Sequence, residues 1–167
     1  MRGYFGIALW APKSTDNYGT ALRSAYVFDA SLVQVVGRRF KRQPSDVFQT
    51  HRHVPTFEVN DIDPPYDCQI VAVEIAPGRS VALPDFQHPE RALYVFGPED
   101  GSVPKHVIDR AQHVVTIPGR ACLNLASAVT IVLYDRAVKR GEDQMPLAMP
   151  VGSANHDAVG SASHGRD

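Results

Sequence analysis

Arg23 follows Asn17 by six residues in the stretch DNYGTALRSAY (16–26), where a helical pattern begins. Asn17 is of a type that caps helix N-termini, and Gly19 lets backbone approach closely. The spacing puts Leu22, Ala25 and Tyr26 on one inward stripe, with Arg23 beside it. A guanidinium there has two uses. It pairs with a surface carboxylate, or it offers a planar, permanently charged fork to a phosphate. Its high proton affinity makes it an awkward general base.

A second chemical stretch is FGPEDGSVP (96–104), in which Gly97 directly follows an apolar run and Pro98 and Pro104 stiffen the segment. Glycine allows backbone to approach a ligand, so the stretch reads as a small-molecule cradle or as a plain strand-to-helix turn. It has neither Walker nor GxGxxG spacing. Glu99 and Asp100 are its acids, facing a ligand or solvent; Glu74 is a further acid just past another apolar run, and it faces the pocket or caps a neighbouring turn. A third stretch, IPGRACLN (117–124), ends a strand and begins a helix near Asn124, whose exposed backbone donors suit a polar ligand or phosphate. Asn124 is also a standard N-cap type. Cys122 has no histidine beside it in sequence and is a poor nucleophile candidate.

The densest positive charge lies in GRRFKRQ, with Arg38, Arg39, Lys41 and Arg42, followed by His51, Arg52 and His53. Such a cluster is a solvated loop or a local anion site. The two histidines lack metal-ligating partners, so no metal is expected. The chain's 17 Lys+Arg and 18 Asp+Glu leave a formal charge of -1, which excludes a polybasic nucleic-acid coat; an anionic partner must be met locally.

These stretches need elements to hold them. Apolar runs at 4–10, 32–36, 69–75, 92–97 and 113–118 read as central strands covered on both faces. Helical patterns follow at 18–30, 104–112 and 123–141, the last closing on Lys139, Arg140 and Gly141. Alternation of this kind implies an α/β fold, a mostly parallel sheet with helices on both faces, and ligands beyond the carboxyl ends of the strands. Both glycine-marked turns sit at such ends. At 167 residues one core is expected, over 1–142, with a flexible Gly/Ser/His-rich tail over 143–167. Cys68 and Cys122 are too few for a disulfide framework, and the N-terminal apolar run is too short for a membrane span or signal peptide. A cytoplasmic protein is expected.

Taken in order, NYGTALR, LYVFGPEDGSVP and TIPGRACLNLASAVTIVLYD resemble the three motifs of the SpoU/TrmH branch of the SPOUT methyltransferases, across residues 4 to 140. The resemblance implies a C-terminal trefoil knot, a homodimer whose site is built from two chains, and methyl transfer from S-adenosylmethionine to an RNA ribose 2′-hydroxyl. The RNA expected is tRNA, by analogy with small relatives; rRNA is the first alternative, and a non-catalytic RNA-binding or cofactor-sensing module the second. A flavodoxin-like nucleotide-binding domain is the rival outside the family. On this resemblance Val73, Gly97, Ile117, Cys122 and Leu123 match cofactor-contacting positions. Arg23, Asn17, Glu99 and Asn124 match catalytic ones, with Arg23 orienting the nucleotide. Arg38, Arg39, Lys41, Arg42 and Arg52 then become candidate RNA-phosphate contacts. Cys122, Ala126 and Ser102 depart from the usual serine, serine and glycine of the motifs.

Overall fold

The computed structural model of the chain describes residues 3–40 and 52–141. Its elements run β1 (Phe5–Trp10), α1 (Thr15–Val27), β2 (Leu32–Val36), β3 (Thr56–Val59), β4 (Gln69–Val73), β5 (Val81–Ala82), β6 (Ala92–Phe96), α2 (Lys105–Arg110), β7 (His113–Thr116) and α3 (Leu125–Lys139). The strands form one sheet in the order β3-β2-β1-β6-β4-β7-β5, and every pairing is parallel. This is the expected α/β sheet with helices on both faces.

The continuous apolar runs have a simple cause. Successive side chains of a strand point to opposite faces, so a strand covered on both sides must be apolar at every position. In β6, Tyr94 and Phe96 join Leu9, Leu22, Val129 and Leu133 beneath α1 and α3, whereas Leu93 and Val95 join Ala72, Val107 and Val114 beneath α2. All five residues of β6 are buried.

Three local expectations change. The inward stripe of α1 is Tyr18, Ala21, Leu22 and Ala25, whereas Tyr26 is 43% exposed and stacks on His53. Asn17 does not cap α1: Ser14 is the N-cap, its side chain accepting from the Asn17 backbone N–H. Strands β3 and β5 were not expected; β3 is a half-exposed edge strand without an apolar run, and β5 has two residues.

At the amino-terminal end of the sheet a buried polar chain ties α3 to the segment before β6. Arg136 donates to the Tyr94 hydroxyl (3.1 Å) and to the carbonyls of Pro89 and Glu90. His88 places Nδ1 2.7 Å from that hydroxyl and Nε2 2.8 Å from Asp135. One set of protons satisfies the chain: Arg136 donates to Tyr94, Tyr94 to Nδ1, and a neutral His88 donates from Nε2 to Asp135. Burial, against the opposing pull of Asp135, holds the His88 pKa below its ordinary value.

Among the described residues no helix is long and apolar enough to cross a membrane. Lys41, Arg42, His51 and the expected tail 143–167 lie outside the described residues.

Candidate active site

The carboxyl ends of β4, β6 and β7 open onto one cavity of about 520 Å³. That size falls within the usual range for a small-molecule site. The turns after β6 and after β7, more than a dozen residues apart in sequence, form facing walls because β4 lies between these two strands in the sheet. Val73, Gly97, Ile117, Cys122 and Leu123 all line the cavity, as do Glu74 and Glu99. Its wall is mixed: apolar side chains from Val73, Ile117 and Leu125, interrupted by the turns at Gly97 and Gly119.

Gly97 is demanded by proximity. A Cβ there would lie 2.8 Å from the Val103 nitrogen, closer than real contacts allow, and a tight 3.0 Å from the Ser102 carbonyl carbon. The turn folds this tightly because Glu74, just beyond β4, accepts a hydrogen bond from the Val103 N–H at 2.7 Å through one carboxylate oxygen and from the Ile75 N–H at 2.9 Å through the other. Glu74 thus pins the turn after β6 to the end of β4. Sequence reading left its role open; it faces the cavity and closes the turn at once.

Glu99 reaches in the opposite direction. Its carboxylate accepts from the backbone N–H groups of Lys13 (3.0 Å) and Ser14 (3.1 Å) and from Asn17 Nδ2 (3.0 Å). Burial acts to raise its pKa, but the hydrogen bonds from Asn17 and the backbone outweigh it and hold the carboxyl below its ordinary value. An anion at a helix N-terminus also meets the positive end of the helix dipole. Glu99 therefore fixes the start of α1 to the cavity rim, and Asn17 serves as the rim's anchor on that helix. Asn124 caps α3, its Oδ1 accepting from the Ser127 N–H at 2.8 Å beside the cavity.

Arg23 is exposed on α1 and does not line the cavity of its own chain. Tyr26 and Val27, three and four residues later and so on the same helical side, are 43% and 51% exposed. On α3, which packs against α1 through a 2.7 Å contact between the Ser24 and Thr130 hydroxyls, Ile131, Tyr134 and Val138 are 38%, 61% and 45% exposed. Arg23 therefore stands beside exposed apolar residues of α1, and α3 carries an exposed apolar set of its own.

The basic residues separate. Arg39 donates to both oxygens of Asp100 (2.5 and 3.2 Å), joined by Lys13 Nζ at 3.3 Å. Arg38 pairs with Glu58 at 3.0 Å and lies over the Phe40 ring. Arg52 is exposed on the loop before β3. The part played by Lys13 carried no sequence signal, since its partner lies 87 residues away. Cys68 and Cys122 are both free thiols. Among the described residues no group of three metal-ligating side chains gathers.

Residues 4–134 match the SpoU rRNA Methylase family. The comparison with curated proteins finds no match. Among solved structures, the chain is similar to the SpoU methyltransferase AviRb from Streptomyces viridochromogenes, with TM-score 0.73 and 19% identity over 86% of this chain and 62% of that one. It is similar to an AdoMet-bound rRNA methyltransferase from Sinorhizobium meliloti, with TM-score 0.69 and 23% identity over 83% of this chain and 57% of that one. A structure described as concerning the 2-OH methylation of C/U34 on tRNA is matched with TM-score 0.70 and 20% identity over 83% of this chain and 92% of that one. At these identities the likeness is one of fold, and the chain spans about three-fifths of the first two proteins' length.

Proposed function

Because the chain belongs to the SpoU rRNA methylase family, we propose that it transfers a methyl group from S-adenosylmethionine to a ribose 2′-hydroxyl of RNA, with tRNA as the substrate. The observation that carries the reading is the convergence of the turns after β6 and β7 on one cavity at the carboxyl end of a parallel sheet. The tRNA substrate is supported by the structure described for 2-OH methylation of C/U34 on tRNA, of which the shared fold makes up 92%. An rRNA substrate is the competing outcome.

The residues fit the cofactor. A cavity of about 520 Å³ with apolar side walls and turn backbone at Gly97 and in 117–123 can enclose an adenosyl group while leaving one side open. Val73, Gly97, Ile117, Cys122 and Leu123 would hold it, and replacing serine by cysteine at 122 removes no backbone contact. When bound, the cofactor supplies an electrophilic methyl group on a sulfonium. The site would present that methyl group to a ribose 2′-hydroxyl, whose proton would leave to solvent, with S-adenosylhomocysteine as the other product. Arg23 holds the nucleotide's phosphate and 2′-oxygen in line, an effect of positioning and field rather than of proton abstraction. Glu99, through Asn17 and the first turn of α1, fixes the helix that carries Arg23.

Since Arg23 does not line its own chain's cavity, we infer that a homodimer completes the site. The exposed apolar residues Val27, Ile131, Tyr134 and Val138 are what a second copy would cover, and Arg23 lies one helical turn from Val27. The domain proper is taken as residues 1–142, and the C-terminal knot is inferred from family membership. The test is label transfer from methyl-labelled S-adenosylmethionine to unfractionated tRNA and rRNA, with methylated riboses mapped by nuclease digestion and mass spectrometry. Arg23→Ala should lose on the order of a hundredfold or more in rate while binding S-adenosylhomocysteine normally. Undiminished transfer by that variant would refute the assignment.

A further inference from the structure

Glu99 and Asp100 are adjacent, yet they face different partners. Glu99 anchors α1, whereas Asp100 turns outward to Arg39 and Lys13. The three side chains of that outer cluster are open to solvent: 39% for Arg39, 62% for Lys13 and 45% for Asp100. Exposed ion pairs contribute little to stability, so the partner in this one can be exchanged at small cost.

Arg39 does not depend on Asp100 for its place. Its backbone N–H donates to the Pro12 carbonyl at 3.0 Å, and its Nε donates to the Ala11 carbonyl at 2.9 Å. Ala11 presents that carbonyl from a left-handed bend, φ 46°, which is uncommon for a residue other than glycine and turns the chain sharply after β1. With Nε and the backbone tied down, the two terminal nitrogens point outward as a fork, and Lys13 adds a third donor from the same connection. A fork matched to two carboxylate oxygens is equally matched to two non-bridging oxygens of a phosphodiester.

We propose that Arg39 and Lys13 are a docking fork for a backbone phosphate of the substrate RNA, and that Asp100 is its built-in competitor, displaced when RNA arrives. The inference rests on the RNA-modifying role proposed above. Arg39 and then Lys13 hold the Asp100 carboxyl down at about 2, so the exchange is of one anion for another and involves no proton. The competitor sits in the turn after β6, where Pro98, Glu99 and Gly101, its neighbours on either side, line the cavity. Glu74 and Glu99 hold that turn by bonds of their own, so a phosphate that takes the fork frees the Asp100 side chain while the cavity wall stays in place.

The exchange has an unusual signature: neutralising an acid strengthens binding, but only while the fork is present. The test measures anisotropy of fluorescein-labelled unfractionated tRNA over a series of salt concentrations. The proteins are wild type, Asp100→Asn, Arg39→Ala/Lys13→Ala and the triple variant, each checked by thermal melting. Asp100→Asn should bind about threefold to fivefold more tightly with a steeper salt dependence. Arg39→Ala/Lys13→Ala should bind more weakly, and adding Asp100→Asn to it should restore nothing. Unchanged or weaker binding by Asp100→Asn overturns the fork, as does a full gain in the triple variant, which would reflect net charge alone. Wild-type tRNA binding without these differences leaves the RNA reading standing; no tRNA binding by any of the proteins removes the fork together with tRNA as the substrate.

Discussion

Gly97→Ala is the most demanding test of the cavity's construction. The added methyl would meet the Val103 nitrogen at 2.8 Å, and backbone cannot swing aside as a flexible side chain can. Either the turn moves or the end of β6 does, and β6 is central and buried throughout. The turn must yield, which pulls Val103 from the Glu74 carboxylate, now 2.7 Å away. Overpacking of this kind costs about 1–3 kcal/mol, and a hydrogen bond to a charged group contributes about 1.5–3 kcal/mol more. For a domain of this size the sum lowers the melting temperature by roughly 5–25 °C. Calorimetry should show S-adenosylhomocysteine binding weakened at least about tenfold, because the displaced turn forms one wall of the site. Glu74→Gln supplies the cross-check: if Gly97→Ala already breaks the Glu74 contact, the double variant should be less destabilised than the two losses added together. A Gly97→Ala protein that melts and binds like the wild type would refute both the close contact and its link to Glu74.

Two further outcomes follow from other parts of the molecule. His88 is held neutral in the folded state with its pKa below the ordinary 6.5, so the unfolded chain binds the extra proton first. Stability should be at its full value above about 6.5 and fall as pH drops through the lowered folded value; urea melts of His88→Gln should lack that decline. Ile131→Glu places a charge among the exposed apolar residues of α3, and light scattering should show the proposed dimer replaced by monomer, with methyl transfer lost.

Much of this architecture was legible because burial on both faces leaves a strong mark. The runs that became β1, β2, β4 and β6 are apolar at nearly every position, as strands covered on both faces require, and β7 keeps Val114 and Val115 at its centre. Thr56–Val59 shows the limit. At the sheet edge one flank is open, so TFEV carries no such mark. Tyr26 was misplaced because aromatic rings suit a core as well as an exposed helical face, and only the orientation of α1 decides which. Asn17 looked like a cap because its type caps helices, but Ser14 stands nearer the true start, and Asn17 answers to a carboxylate 82 residues away. The motif residues around the cavity could be matched in advance, and a turn-capping role was open to Glu74; the ties made by Glu99 and Asp100 were not legible, since each links segments whose nearness is a product of the sheet order.

That sheet order also sets a timetable. β7 must lie against β4, and α3 must begin at Leu125, before the second wall of the cavity exists. A growing chain can therefore complete β1, β2, β4 and β6 and still have no place to hold a nucleoside. Ligand capture marks the last stage of assembly, and a ligand present in the cell would favour finished molecules over those stalled a few dozen residues short.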